Sequence, residues 1–264
     1  MASIILPDRW KRQPQGEAEL DRSNPLTRNL RHLWLFSPDR NWRVDLVAGV
    51  RLANSNIINT PPVNHVTGVR TSTGFELLCA LPNAIGAPIT ILTGHRFISG
   101  VVTFSFGASD VWTGWYKASG NTLLTSTNGA TFDGSVAPTG PFIDSRPISY
   151  QAYTMSGAND LRASCNGGAV VADTSCQSPS GALNAVRFGY DFLGSNPGSA
   201  DINLVAIFNR SFLNHELIEI SANPWQIFKK KSRVIYFDAP SFPVLSSLGV
   251  SNITSSGGRL TANA

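Results

Sequence analysis

The chain has 264 residues, 42% of them hydrophobic, enough to bury the core of one large domain or two small ones; a wholly disordered polymer is excluded. Charged residues make up only 14%, against 23 Gly and 16 Pro, a composition too poor in charge for long solvent-facing helices and indicative of a mostly β protein. The net charge of +4, from 21 Lys and Arg over 17 Asp and Glu, records a shortage of acids and does not by itself imply nucleic-acid binding.

No apolar run approaches the roughly 20 residues of a membrane helix. The first residues, through Leu6, are too short for a signal peptide before Pro7, so a soluble chain made in the cytosol is expected. Cys79, Cys165 and Cys176 are odd in number and lack C-x-x-C spacing, which predicts free thiols and neither a disulfide framework nor a zinc site.

In chain order, residues 1–24 come first. They carry Trp10, the pair Lys11 and Arg12, and alternating acids at Glu17, Glu19 and Asp21, with no sustained apolar face. They read as an extended N-terminal arm, solvated and dispensable for the stability of the core domain. A dense apolar segment with Leu30, Leu33, Trp34, Leu35 and Phe36 then opens that domain, assigned to residues 25–237, and Val44 to Val50 come after a turn.

Ten short apolar runs recur beyond it: 75–81, 89–93, 100–106, 111–117, 122–126, 149–155, 161–165, 169–172, 185–190 and 201–208. This spacing, with turn signals between the runs, predicts an antiparallel sandwich or barrel and argues against a parallel α/β architecture. Asn166-Gly167 supplies the positive φ angles of a tight hairpin between the runs at 161–165 and 169–172. One helix is expected over Asn214–Ala222, with Leu213, Leu217 and Ile220 on its apolar face and Trp225 tucked against the same surface beyond Pro224. Val234 to Phe237 reads as a last strand. Residues 238–264, rich in Pro, Ser and Gly, read as a C-terminal tail with at most an edge strand at Val250 to Thr254.

Two stretches carry a resemblance. Asn24-Pro25-Leu26 with Leu30, the aromatic Trp34 and Asp45-Leu46-Val47 resemble the opening of laminin G-like, concanavalin A-like sandwiches. Asn166-Gly167, Phe188-Gly189, Asp201-Ile202, Ala206 to Arg210 and Leu213 to Glu219 resemble their ending. The resemblance implies an all-β, antiparallel jelly-roll β-sandwich with one short helix near the C-terminus and extended terminal arms. A narrower likeness lies in the flanks: Trp10 to Gly16, and Ala222-Asn223-Pro224-Trp225-Gln226-Ile227-Phe228-Lys229, look like those of sandwich proteins encoded among tailed-bacteriophage and prophage structural genes. That implies a virion component, synthesised in the host cytoplasm.

Catalysis finds little support. Glu17, Glu19 and Asp21 would share one face of a strand, but they precede the domain and lack a sugar platform. There is no G-x-S-x-G, Walker A, G-x-G-x-x-G or H-E-x-x-H, and His32, His65, His95 and His215 lie in unrelated contexts. No enzyme is expected. The resemblance brings in Ca²⁺ as the one ion to consider, with Asp110, Asp133, Asp144, Asp160, Asp173 and Asp191 as rim acids. None is paired with a second acid at ligand spacing, so no cofactor is expected. Trp112, Trp115 and Tyr116 form a candidate glycan-stacking group, although strand alternation puts the two tryptophans on opposite faces. The basic run Lys229, Lys230, Lys231 and Arg233 lacks the interleaving of a nucleic-acid site and reads as a solvated face or a contact with an acidic neighbour.

The expected function is a virion structural protein of a tailed bacteriophage, a capsid decoration or minor capsid protein acting by protein–protein contact with other virion proteins. Arg9, Trp10, Lys11 and Arg12 are its assembly contacts, joined by the basic run. The alternative is a tail-associated or receptor-binding module that recognises a host-surface glycan.

Overall fold

The computed structural model describes residues 13–14, 18–36, 44–51, 58–59, 68–71, 77–100, 102–108, 111–116, 122–126, 134–137, 148–177, 182–188 and 198–230. Among them the strands are, in chain order, β1 (Ala18–Leu20), β2 (Leu30–Leu35), β3 (Ile58–Asn59), β4 (Val69–Thr71), β5 (Leu77–Ile85), β6 (Ile89–Gly100), β7 (Val102–Ala108) and β8 (Val111–Tyr116). They continue with β9 (Thr122–Ser126), β10 (Gly134–Val136), β11 (Ser149–Gly157), β12 (Asp160–Cys165), β13 (Val171–Asp173), β14 (Leu183–Phe188), β15 (Gly198–Phe208) and, after the helix α1 (Asn214–Ala222), β16 (Phe228–Lys230). Each of the ten expected runs overlaps a strand, although that at 169–172 is strand only from Val171, and the helix has the expected bounds. No described helix is long and apolar enough to cross a membrane. The expected strand at Val234 to Phe237 and the tail at 238–264 lie outside the described residues.

Two antiparallel sheets make the sandwich. The larger runs β13-β12-β11-β6-β15-β4-β3, with β2 beside β4 along the same edge of β15. The smaller runs β10-β9-β8-β7-β14-β5. Between them lies a core of Trp34, Ile91, Tyr153, Met155, Ile202, Val205 and Ile207 from the larger sheet with Leu81, Ile85, Val136 and Leu183 from the smaller. A second core covers part of the larger sheet's outer face, where Leu33, Leu92, Ala152, Leu204, Ala206 and Phe208 meet Leu217 and Ile220 of α1 and Trp225, Ile227 and Phe228 behind it.

This double cover accounts for β15, all eleven of whose residues are buried. Its alternation changes phase at Asn203: Ile202 and Val205 both face the inter-sheet core, while Leu204 faces the helix. The pairing with β6 slips there by one residue, a β-bulge that turns Asn203 and Leu204 to the same side. Opposite the bulge is Gly94. The sequence pattern ends a strand at Thr93, but β6 runs on through Gly94. Its missing side chain gives room, since a Cβ there would lie 2.1 Å from Asn203 Oδ1 and 2.7 Å from the Tyr150 ring.

Leu213 departs from the expected helix face and is 59% exposed. It is the extended N-cap residue (φ −72°, ψ 160°), so helical periodicity does not reach it, whereas Leu217 and Ile220 are fully buried. Arg210 fastens this helix start. It pairs with Glu216 at 2.9 Å and donates to the carbonyls of Arg28 (3.1 Å) and Pro25 (3.4 Å), while Glu216 accepts from the Leu213 N–H. The two stretches that carry the resemblance therefore touch.

Asp45 explains the Asp-Leu-Val segment. Its Oδ1 accepts from the N–H groups of Leu33 (2.9 Å) and Val47 (2.8 Å), its Oδ2 lies 2.5 Å from His32 Nδ1, and the His32 ring stacks on Trp34. A buried carboxylate requires such partners, and here they pin the adjoining turn onto β2.

The Asn166-Gly167 turn is the tight one expected: both φ angles are positive (49° and 77°) and the Gly168 N–H donates to the Cys165 carbonyl at 2.8 Å, while the regular ladder begins beyond it at Ala163 and Val171. The helix also holds the turn: the Gly167 N–H donates to Ser221 Oγ at 3.0 Å, and Ser164 and Ser221 hydroxyls are 3.0 Å apart. Neither Cys165 nor Cys176 is in a disulfide, and both are buried.

The N-terminal arm is also revised. Residues 18–20 pair with Phe228–Lys230, and Asp21, expected in solvent, is 1% exposed, with its N–H donating to the Ile227 carbonyl at 2.8 Å. Backbone partners offered by the far end of the chain outweigh the arm's lack of apolar residues.

Candidate functional site

The candidate stacking residues Trp112, Trp115 and Tyr116 all belong to β8, whose register with β9 is regular from Trp112↔Ser126 to Tyr116↔Thr122. Trp112 and Tyr116 therefore occupy one set of alternate register positions and Trp115 the other; their side chains lie outside the described structure. Arg9, Trp10, Lys11, Arg12, Lys231 and Arg233 lie outside the described residues, as does the side chain of Lys230. Lys229 sits in β16 and pairs with Glu19 at 2.9 Å, a contact that raises its ammonium above the ordinary range.

Of the rim acids, Asp110, Asp133, Asp144 and Asp191 lie outside the described residues. Asp173 is taken up by the Ser175 hydroxyl and the N–H groups of Ser175 and Ser135, and the Ser175 bond holds its carboxyl below the usual range. Asp160 is held by Arg162 and Ser156. Among the described residues no group of three or more His, Cys, Asp or Glu side chains could hold a metal ion.

A different set of residues converges on the outer face of the larger sheet, at the edge of the turn behind α1, whose Trp225 forms one side of it. Register places Tyr150 of β11 opposite Gly94 of β6, with the Asn203 bulge of β15 on the other side of Gly94. The Asn203 amide donates to the Tyr150 hydroxyl at 3.1 Å, the Trp225 indole donates to the same oxygen, and the Trp225 ring meets the Tyr150 ring edge-on at 5.8 Å. Burial pushes the phenol up, against the pull of those two bonds, so the hydroxyl stays protonated and keeps its own hydrogen to donate.

Two residues along each strand, roughly 6.6 Å away, is a charged row. Asp201 of β15 accepts from Arg96 of β6 through Nε (3.0 Å) and Nη2 (2.5 Å), and from Arg70 of β4 through Nε (2.7 Å) and Nη2 (3.1 Å). The carboxylate is 4% exposed, while the arginines are 36% (Arg70) and 31% (Arg96) exposed. One buried carboxylate thus holds two guanidinium groups side by side at the surface, with one positive charge in excess. Arg96 also continues the outward row of Leu92 and Gly94 along β6, so the aromatic and charged parts form one strip.

None of these residues stands out in the sequence, because β4, β6, β11 and β15 are adjacent in the sheet and far apart in the chain. The available signal was a charge inside an apolar run: Arg96 beyond Ile91-Leu92, and Asp201 heading a strand of aliphatic residues.

No family model matches the chain, and no curated protein matches it. Its fold is similar to domain 4 of a GH43 extracellular arabinanase from Geobacillus stearothermophilus, solved in complex with arabinotriose, at a TM-score of 0.57 and 11% identity over 73% of this chain and 98% of that domain. It is also similar to the binding domain of botulinum neurotoxin DC in complex with SialylT, at a TM-score of 0.55 and 8% identity over 74% of this chain and 51% of the other. The botulinum neurotoxin serotype D binding domain gives a TM-score of 0.57 and 9% identity over 75% and 52%. The chain spans about half the length of these neurotoxin domains. At such identities the likeness establishes a shared β-sandwich fold.

Proposed function

We propose that the chain is a non-catalytic glycan-recognition module of a tailed-bacteriophage virion, attached through its joined ends. The observation that carries this reading is the partly uncovered sheet face, on which a half-buried tyrosine with a free hydroxyl hydrogen lies beside two surface arginines. An aromatic ring with adjacent polar donors suits a pyranose, whose faces are apolar and whose rim is hydroxylated. Support also comes from the fold neighbours solved with arabinotriose and with SialylT. The virion part rests on the flanking segments. The described residues of the two flanks, Gln13-Pro14 aside, meet at β1 and β16, so both ends leave the sandwich at one place and the strip can face outward.

The second reading is capsid decoration by protein contact alone. The exposed Leu213, near the attachment end beside Arg210 and Pro25, favours it. A glycan array with the full chain separates the two. Saccharide binding abolished by Tyr150→Ala, with the fold intact, supports recognition; an array with no positive saccharide overturns it. Antibody labelling of purified particles tests the virion assignment, and particles free of the chain would remove it.

A further inference from the structure

Resting on the glycan reading, we propose that the strip of Tyr150, Arg96, Asp201 and Arg70 selects a carboxylated sugar, a hexuronate or sialate residue within a longer glycan.

The argument begins with the unused donors. A guanidinium carries five N–H groups, and Asp201 engages only Nε and Nη2 of each arginine, so Nη1 of both has no hydrogen-bond partner among the described residues. Both side chains are about one third exposed. Their remaining donors are available to an anion arriving from solvent. The planar fork of Arg matches a carboxylate in a way that a lysine ammonium does not.

The arrangement is also held in advance. Arg96 and Arg70 come from strands on opposite sides of β15, and the buried carboxylate between them restrains both side chains. An arginine restrained before binding loses less conformational freedom when ligand arrives. Asp201 neutralises one of the two charges, which leaves a site for a single negative group and disfavours a polyanion such as nucleic acid. Tyr150, on the strand beside Arg96 and roughly two residues along from it, is at about the distance of one sugar ring from that arginine. Its ring can pack on that sugar while the carboxylate reaches Arg96.

The test uses the full chain and two matched pairs of probes, trigalacturonate against its methyl ester and sialyllactose against lactose, by titration calorimetry. The expected result is that at least one acid binds ten-fold or more tighter than its neutral partner, and that raised salt weakens this preference. Arg96→Gln should remove the preference while the melting temperature stays within a few degrees of wild type, and Arg96→Lys should restore only part of it. The matched pairs on wild-type protein give the same information if a variant fails to fold. Equal affinity for acid and neutral partners, or binding of neutral glycans alone, overturns the proposal and leaves glycan recognition standing. Absence of binding by these probes and by every saccharide of a broad array overturns both.

Discussion

The side-chain amide of Asn24 donates to the backbone carbonyl of Gln226 at 2.9 Å, tying segments 202 residues apart in the chain. The same side chain caps the adjoining 3-10 turn, accepting from the Leu26 N–H at 3.0 Å. One residue therefore shapes the entry to the domain and closes it against the exit, which is why Asn24-Pro25-Leu26 and Asn223-Pro224-Trp225 work as a pair. Each buried hydrogen bond of this kind contributes about 0.5–1.5 kcal/mol, and an orphaned buried partner costs more.

Deleting residues 2–23 should accordingly destabilise the sandwich. The deletion removes the β1–β16 pairing, the Asp21 N–H to Ile227 bond and the Thr27 hydroxyl bond to the Asp21 carbonyl. A loss of several kcal/mol in urea unfolding is expected, on the order of 1 kcal/mol per hydrogen bond. Asn24→Ala should give about 1–3 kcal/mol by the same measurement. An unchanged midpoint in both would mean that the joint of the ends adds nothing to stability.

The helix gives a paired test. Leu217 is fully buried and Leu213 is 59% exposed, although periodicity places both on one apolar face. Leu217→Ala should cost about 2–5 kcal/mol. Leu213→Ala should stay within about 0.5 kcal/mol of wild type. Equal losses in thermal or urea melts would contradict the extended cap.

Gly94 leaves the room that the Asn203 and Tyr150 side chains occupy. In Gly94→Ala the new methyl would meet Asn203 Oδ1 at 2.1 Å and the Tyr150 ring at 2.7 Å, so the bulge and the strip must shift. Overpacking of this kind costs about 1–3 kcal/mol. Adding Asn203→Ser should recover part of the melting temperature by removing the closer clash. No recovery in the double variant would show that the bulge is not the obstacle.

His95 predicts a pH dependence. It is buried between the sheets, its Nδ1 lies 3.2 Å from Thr93 Oγ1, and burial lowers its pKa from 6.5 to about 4. Between those values the unfolded chain takes up a proton that the native state refuses, so stability falls as the pH drops from 6.5 towards 4 and this contribution levels off below. The full window is worth about 3 kcal/mol. Subtracting the stability profile of His95→Gln from that of wild type should isolate this slope from the carboxylates, and a flat difference would refute it.

Strands such as Thr122–Ser126 and the helix Asn214–Ala222 were legible because local chemistry determines them: β-branched and aromatic runs bounded by turn residues, and a polar start ended by Asn223-Pro224. The Asn166-Gly167 turn was legible for the same reason, since positive φ is a property of those two residues. What the sequence by itself determined is thus the inventory of strong elements and, through their spacing, an antiparallel sandwich. Short strands such as Ala18–Leu20 and Val69–Thr71 carry too few residues for a periodic signal and exist because a distant partner completes their hydrogen bonds. Only the tertiary structure decided that Leu204 and Val205 face opposite cores, that Gly94 interrupts nothing, and that Asp201 gathers Arg70 and Arg96. Each of these depends on which strands lie side by side, and in this sheet the neighbours of β15 are strands far from it along the chain. Side-chain convergence across such neighbours leaves no local periodicity to read.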